Sequence, residues 1–268
     1  MNFTIVEKVR EQNPLIHNIT NIVVSNDTAN GLLAIGASPF MANAPEESGE
    51  VAAFADALVL NIGTITSTQL DSMLVAGTSA NAAETPVIFD PVGAGATNFR
   101  RMAVKCLLEN VKMSLIRGNI GELAAIAGVA WNAKGVDAGT SDGESASPSD
   151  IAKKVATQYN CIVAISGEED VITDGITTYT VKNGTPYFTK MTGGGCLLTS
   201  VCGAYLAVDM AHPLEAVFTA MLMYSLCGEM AASELPVDLV GSFRTKLLDK
   251  LSIITSLEVR AYGKYEMK

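Results

Sequence analysis

The feature that most constrains the fold of this chain is a repeated hand-over from a short apolar run, through polar residues, to a longer amphipathic run. Residues 57–62, 86–90, 113–116 and 161–165 are the clearest short runs. At or just past their ends stand polar side chains: Asn61, Asp90, Arg117 and Ser166. Buried strands alternating with helices specify an α/β fold, because parallel strands need crossover helices and those helices cover both faces of the sheet. Sheets of this kind bind ligands outside the carboxyl ends of their strands. Four polar strand ends in succession therefore mark a candidate site, where a single one would carry no weight.

The remaining pattern fits that frame. Helical spacing is expected over residues 3–11, 25–34, 44–56, 67–83, 99–109 and 148–159, with a short helix ending at Ala127. Pro14 stops the first helix, and residues 36–41 break the second. Residues 168–181 read as a hairpin turning at Asp174-Gly175. Residues 131–150, with the stretch Gly139-Thr140-Ser141-Asp142-Gly143-Glu144-Ser145, read as a surface loop. From Cys196 to about Lys250 the chain is nearly all helix, followed by a tail. No repeat and no compositional break marks a boundary, so one domain over residues 1–268 is expected.

The densest local signal is Met191-Thr192-Gly193-Gly194-Gly195-Cys196. Three glycines remove every Cβ, which permits a sharp bend and close approach of backbone to ligand. With a helix expected from Cys196 to Val208, free backbone N–H groups and the positive helix end would meet there and favour an anion. A glycine turn joining a strand to a buried helix has the same appearance. The amides of Asn18 and Asn21, flanking Thr20, are likewise open to a local capping role.

Composition excludes several partners. A net charge of −10 argues against a phosphate-backbone partner, so no nucleic acid is expected. No run of about 18 apolar residues is evident, and Met1-Asn2-Phe3-Thr4 lacks the start of a signal peptide, so no membrane span is expected. Five cysteines, at 106, 161, 196, 202 and 227, are odd in number and form no C-x-x-C pair. That usage suits reduced thiols and a cytoplasmic location. His17 and His212 are the only histidines, which makes a structural zinc site improbable.

Taken together, an ordered set of stretches resembles the hydroxyethylthiazole kinase family, thiamine-salvage enzymes of the ribokinase-like fold. The set runs Asn18-Ile19-Thr20-Asn21, Gly36-Ala37-Ser38-Pro39-Phe40-Met41-Ala42, Asn61-Ile62-Gly63-Thr64 and Asp90-Pro91-Val92-Gly93. It continues with Arg117-Gly118-Asn119-Ile120-Gly121-Glu122, Thr173-Asp174-Gly175 and Thr192-Gly193-Gly194-Gly195-Cys196. Each stretch alone is weak; the order and spacing across residues 13–230 are specific.

The resemblance implies a central, mostly parallel sheet with helices on both faces. It also implies phosphorylation of the primary hydroxyl of 4-methyl-5-(2-hydroxyethyl)thiazole by ATP with Mg²⁺, in a homotrimer whose thiazole pocket lies between subunits. On this resemblance Met41 and Gly193 line that pocket, with Asn21, Val23 and Gly63 as further neighbours. Arg117 and Ser166 fall at the nucleotide, Gly194 and Gly195 at its phosphates, and Asp90, Asn119 and Glu122 in the metal and phosphate region. Arg117 and Cys196 are the expected catalytic residues. Three departures stand out. Ser166 replaces a more usual Thr, Gly194 replaces a small hydroxylated residue or Ala and should loosen the turn, and Cys196 stands where the wider group has an Asp base.

Phosphoryl transfer runs mainly on positioning and charge placement, which suits a forked cation, backbone donors and carboxylates for a hard metal. A helix N-terminus would lower the Cys196 pKa and bound phosphates would raise it, so a shaping or weak-base role is expected for the thiol. Three alternatives compete: a cysteine hydrolase using Cys196 with one of the two histidines, another ribokinase-like small-alcohol kinase, and a non-catalytic nucleotide-binding regulator.

Overall fold

The structure is a computed structural model and describes residues 3–129, 146–236 and 239–268. The chain opens with α1 (Ile5–Gln12), β1 (Leu15–Ile19), α2 (Ser25–Ala34) and β2 (Ser38–Phe40). Three helix–strand pairs follow: α3 (Pro45–Phe54) with β3 (Ala57–Asn61), α4 (Ser67–Ala82) with β4 (Val87–Asp90), and α5 (Asn98–Asn110) with β5 (Leu115–Asn119). Next come α6 (Ile120–Ala127), α7 (Pro148–Tyr159), β6 (Ile162–Ser166), β7 (Asp170–Thr173) and β8 (Thr178–Val181). A 3-10 turn, Pro186–Lys190, leads into α8 (Gly194–Val208), then α9 (Pro213–Ser233), α10 (Val240–Ile253), α11 (Ser256–Tyr262) and β9 (Tyr265–Met267).

All nine strands of the described residues lie in one sheet, in the order β2-β1-β3-β4-β5-β6-β7-β8-β9. The pairings from β2 through β6 are parallel, and β7, β8 and β9 add antiparallel. Alternating side chains divide the interior in two. Ile16, Val59, Ile88 and Ala164 join a core with α1, α2, α8, α9 and α10. Leu58, Leu60, Phe89 and Val163 join another with α3 to α7. The expected α/β architecture with helices on both faces is thus present.

Local chemistry sets where the helices begin. Thr66 accepts from the Gln69 N–H at α4, and Thr97 from the Arg100 N–H at α5. Ser147 and Asp150 form a reciprocal capping box at α7, with Pro148 in its first turn.

Several boundaries differ from the sequence expectation. The break over 36–41 contains β2, and the expected tail contains β9, a three-residue edge strand exposed on both faces. Both strands are too short to show a period. Strand β5 runs two residues past Arg117, so that side chain leaves the sheet rather than a loop. Helix α8 begins at Gly194, two residues earlier than expected, because Gly193 supplies the capping turn. Helix α9 is long and apolar enough by composition to cross a membrane, which amends the expectation of no such stretch; most of its side chains are buried in the core. The loop expected over 131–150 lies, for residues 131–145, outside the described residues.

Candidate active site

Strand β1 is flanked by β2 on one side and β3 on the other, so the strand order reverses there. Crevices at such switch points are where α/β sheets take ligands. Asn21, just past β1, bridges this crevice: its Nδ2 donates to Asn61 Oδ1 at the end of β3, at 2.9 Å. Asn61 Nδ2 in turn donates to Asp90 Oδ2 on β4, at 2.8 Å, and Thr199 Oγ1 on α8 donates to the same oxygen at 2.9 Å. All four side chains are buried. The Gly63 N–H also donates to Asn61 Oδ1, and a Cβ at Gly63 would stand 2.7 Å from the Asn21 amide. The second N–H of the Asn21 amide points toward Cys196, with Nδ2 3.4 Å from Sγ. Burial pushes the Asp90 carboxyl up to about 6; the nearby Arg117 charge opposes this and Glu122 adds to it.

The glycine turn sits over this network. Gly193 caps α8 with φ of 83°, a left-handed conformation, and a Cβ there would lie 2.5 Å from Val24 Cγ1. The Gly194 carbonyl accepts from Tyr224 Oη at 2.8 Å, so the turn is pinned from below despite its third glycine. At Gly195 a Cβ would lie 2.7 Å from Arg117 Nη1: the guanidinium is packed directly beneath the backbone. Arg117 is itself buried and donates from Nη2 to Ser166 Oγ at 2.5 Å, while its Nε is buried with no partner. A positive group with a spare donor therefore stands under the open end of a helix.

Beside this pair opens a cleft of about 830 Å³, lined by Arg117, Ser166, Asp170, Gly194, Gly195 and Tyr224 and by residues 182–186, 188 and 189. Asp170 accepts from the Gly167 N–H and from Ser225 Oγ, each at 3.1 Å. Its burial pushes the carboxyl up to about 6, against the Gly167 hydrogen bond and the Arg117 charge.

Asn119 and Glu122 form a capping box on α6. Asn119 Oδ1 accepts from the Glu122 N–H at 3.0 Å, and Glu122 Oε2 accepts from the Asn119 N–H at 2.8 Å. Glu122 Oε1 accepts from the Gly93 N–H at 2.9 Å. The cap thus fixes the carboxylate beside the loop after β4. Arg100 clamps that loop to the one after β3, donating to the carbonyls of Ile62, Val92 and Gly63 at 2.5, 2.6 and 2.7 Å.

The Cys196 thiol is pushed up to about 11, first by burial and then by the Asp90 charge. The helix-end effect that favours a thiolate is outweighed here. Neither histidine serves it as a base: His17 Nε2 lies 2.8 Å from the Ala42 carbonyl, and His212 pairs with Asp209. The cysteine-hydrolase alternative has no base to work with.

Of the expected site residues, Asn21, Gly63, Asp90, Arg117, Ser166, Gly193, Gly194, Gly195 and Cys196 are brought together, with Asn119 and Glu122 at the next strand end. Val23 is 61% exposed and Met41 half-buried, and Val24 rather than Val23 supports Gly193. The residues left unassigned by sequence were Asn61, Arg100, Asp170 and Thr199. Asn61 stood out as a polar strand end. Thr199 is three residues after Cys196 and so shares its face of α8. Arg100 and Asp170 left no local signal.

Residues 6–256 match the hydroxyethylthiazole kinase family. The chain is 51% identical to the hydroxyethylthiazole kinase of Haemophilus influenzae (strain PittEE), over 96% of each sequence. Among solved structures it resembles the hydroxyethylthiazole kinase protein from Pyrococcus horikoshii OT3, at 38% identity and TM-score 0.89, covering 99% of this chain and 98% of that one. A ribokinase-like superfamily protein from Enterococcus faecalis V583 shares the fold at 12% identity, with TM-score 0.64 and 94% of each chain covered.

Proposed function

This chain belongs to the hydroxyethylthiazole kinase family, and on that premise we propose that it transfers the γ-phosphoryl group of ATP to the primary hydroxyl of 4-methyl-5-(2-hydroxyethyl)thiazole. The observation that carries the reading is Arg117, buried with its two terminal nitrogens directly under the N-terminus of α8 and its Nε unpartnered. Two independent sources of positive charge converge there, at the mouth of a cleft large enough for a nucleotide.

In this reading ATP lies in the cleft with its phosphates toward the N–H groups of Gly194, Gly195 and Cys196. Arg117 meets the transferred group with a forked donor set while Ser166 holds its other arm. Negative charge spreads over the transferred oxygens in a loose transition state, so fixed donors already aimed at them lower the barrier without reorganising. The alcohol approaches from the switch point, past Asn21, Val23, Met41, Gly63 and Gly193. Cys196 shapes the floor under its hydroxyl and stays a neutral thiol.

Among the described residues no three His, Cys, Asp or Glu side chains form a metal cage. Two carboxylates of neighbouring strand ends, Asp90 and Glu122, close enough to influence one another, are the donor set that suits Mg²⁺, which keeps several waters and takes its other ligands from phosphates. Asp90 and Glu122 would hold it, with Asn119 orienting Glu122, and the ion would supply charge neutralisation for the phosphates. The surface positions of Val23 and Met41 fit a homotrimer in which a neighbouring subunit completes the alcohol pocket. The chain acts as one kinase domain, and its five cysteines, all free thiols, suit a reducing cytoplasm.

The test is a panel of small alcohols, each supplied with ATP and Mg²⁺ and read by phosphorus NMR for a new phosphate monoester. The thiazole alcohol should be the best substrate. A better sugar or pyrimidine alcohol would favour another ribokinase-like small-alcohol kinase, and ATP binding without any ester would favour a regulator.

A further inference from the structure

The cleft has two walls, and they are held differently. The wall of strand ends and glycines belongs to the sheet and α8. A second wall is made by residues 182–185, between β8 and the 3-10 turn, which line the cleft and form no helix or strand of their own. Something outside must hold them.

We propose that Asn183 is a positioning residue for the nucleotide, tying this wall to α9 and to the C-terminal segment. The inference rests on the reading of the cleft as the nucleotide site. Asn183 is 3% exposed, and both of its amide donors and its oxygen are engaged. Its Nδ2 donates to Glu229 Oε2 at 2.9 Å and to the Tyr262 carbonyl at 3.2 Å, and its Oδ1 accepts from the Lys264 N–H at 2.6 Å. Two donors and one acceptor are thus spent on groups behind the wall. Glu229 on α9 also accepts from the Gly184 N–H and from Lys264 Nζ, at 3.4 and 2.6 Å. The Lys182 N–H donates to the Lys264 carbonyl at 2.8 Å, and β9 continues the attachment along β8.

Helix α9 sets both walls at once. One turn before Glu229 it presents Tyr224 to the Gly194 carbonyl and Ser225 to Asp170. The phosphate end and this segment are therefore both tied to α9, the segment through the buried Asn183 amide and through the Phe188 ring stacked on Tyr224 at 5.2 Å. Breaking the amide frees residues 182–185 from their part-buried partners on α9 and the C-terminal segment, without touching the contacts of Tyr224 and Ser225. The loss should fall on nucleotide affinity and leave the alcohol and the chemical step nearly untouched.

The experiment compares wild type with Asn183→Ala, Asn183→Asp and Glu229→Gln. Calorimetric titration with ADP and Mg²⁺ is read beside the KM values for ATP and alcohol, kcat and thermal midpoint. Asn183→Asp removes both donors and sets a carboxylate against Glu229, and its Kd for ADP and KM for ATP should rise roughly tenfold or more, with alcohol KM and kcat within about twofold. Glu229→Gln keeps an amide oxygen for Asn183 and should fall between this variant and wild type; it carries the test if the Asn183 variants do not fold. Unchanged ADP affinity in folded variants, or an equal loss in alcohol KM and kcat, would overturn the proposal. If wild type itself binds no ADP, the nucleotide reading of the cleft fails first.

Discussion

Arg117 leaves β5 with one arm on Ser166, the other against the Gly195 backbone, and its Nε buried without a partner. Cys196, one residue beyond that glycine, is a neutral thiol held by an amide and raised to about 11 by burial. These two residues should respond differently to substitution. Arg117→Lys keeps the charge but gives up the fork, and turnover should fall by about one to two orders of magnitude, at ~1.4 kcal/mol per decade. A well-matched base contributes ~10²–10⁴-fold, and a thiol with this pKa is poorly matched, so Cys196→Ala should lose less than that range. Cys196→Asp should be tolerated or faster, since a carboxylate can accept the proton. Steady-state turnover of the three folded proteins decides it; loss of all activity in both Cys196 variants would make the thiol indispensable.

Helix α8 concentrates the site: its capping glycine, its first turn, Cys196 and Thr199 all bear on it. Its start depends on a left-handed Gly193 seated on Val24. Gly193→Val imposes a β-branched side chain where φ is 83° and Val24 Cγ1 would be 2.5 Å away. Left-handed strain of about 1–3 kcal/mol and a displaced turn should both follow. Turnover should then fall well below that of either Cys196 variant, and near-normal activity would show that the turn is not the phosphate clamp. Much of this was legible beforehand. The polar strand ends, the glycine turn and the helix it feeds are local patterns, and local pattern is what a sequence displays. The chain from Asn21 through Asn61 and Asp90 to Thr199 was not, because it joins residues 40, 29 and 109 positions apart. The resemblance placed Glu122 in the metal and phosphate region and said nothing of how it is held. The structure gives the cap directly, and the cap is what aims the carboxylate at the loop after β4. Strand β9 was missed because three exposed edge residues carry no apolar alternation.

At the scale of the molecule, charge and assembly make separate demands. Asp170 is buried in the cleft wall with its carboxyl raised from 3.8 to about 6. The folded state therefore binds a proton more readily than the unfolded one, and this group's contribution to stability grows as pH falls through 6 and is absent well above it. Relative to Asp170→Asn, wild type should gain a few degrees in thermal midpoint between pH 7.5 and 5, on the scale of about 2–4 °C per kcal/mol. A constant difference across that range would remove the burial argument. Ile22 and Val23 stand 79% and 61% exposed at the carboxyl end of β1, beside the proposed alcohol pocket. Sedimentation should accordingly show a trimer at working concentration, with activity per chain falling on dilution below its dissociation constant, and a fully active monomer would contradict a shared pocket. The central claim is that the strand ends and the α8 N-terminus direct a phosphoryl group to an alcohol and not to water. Its most direct test counts products. With purified chain, ATP, Mg²⁺ and thiazole alcohol, one thiazole monophosphate should form for each ADP released, with little ADP formed when the alcohol is withheld. ADP release that ignores the alcohol, with no phosphate ester formed, would contradict the account.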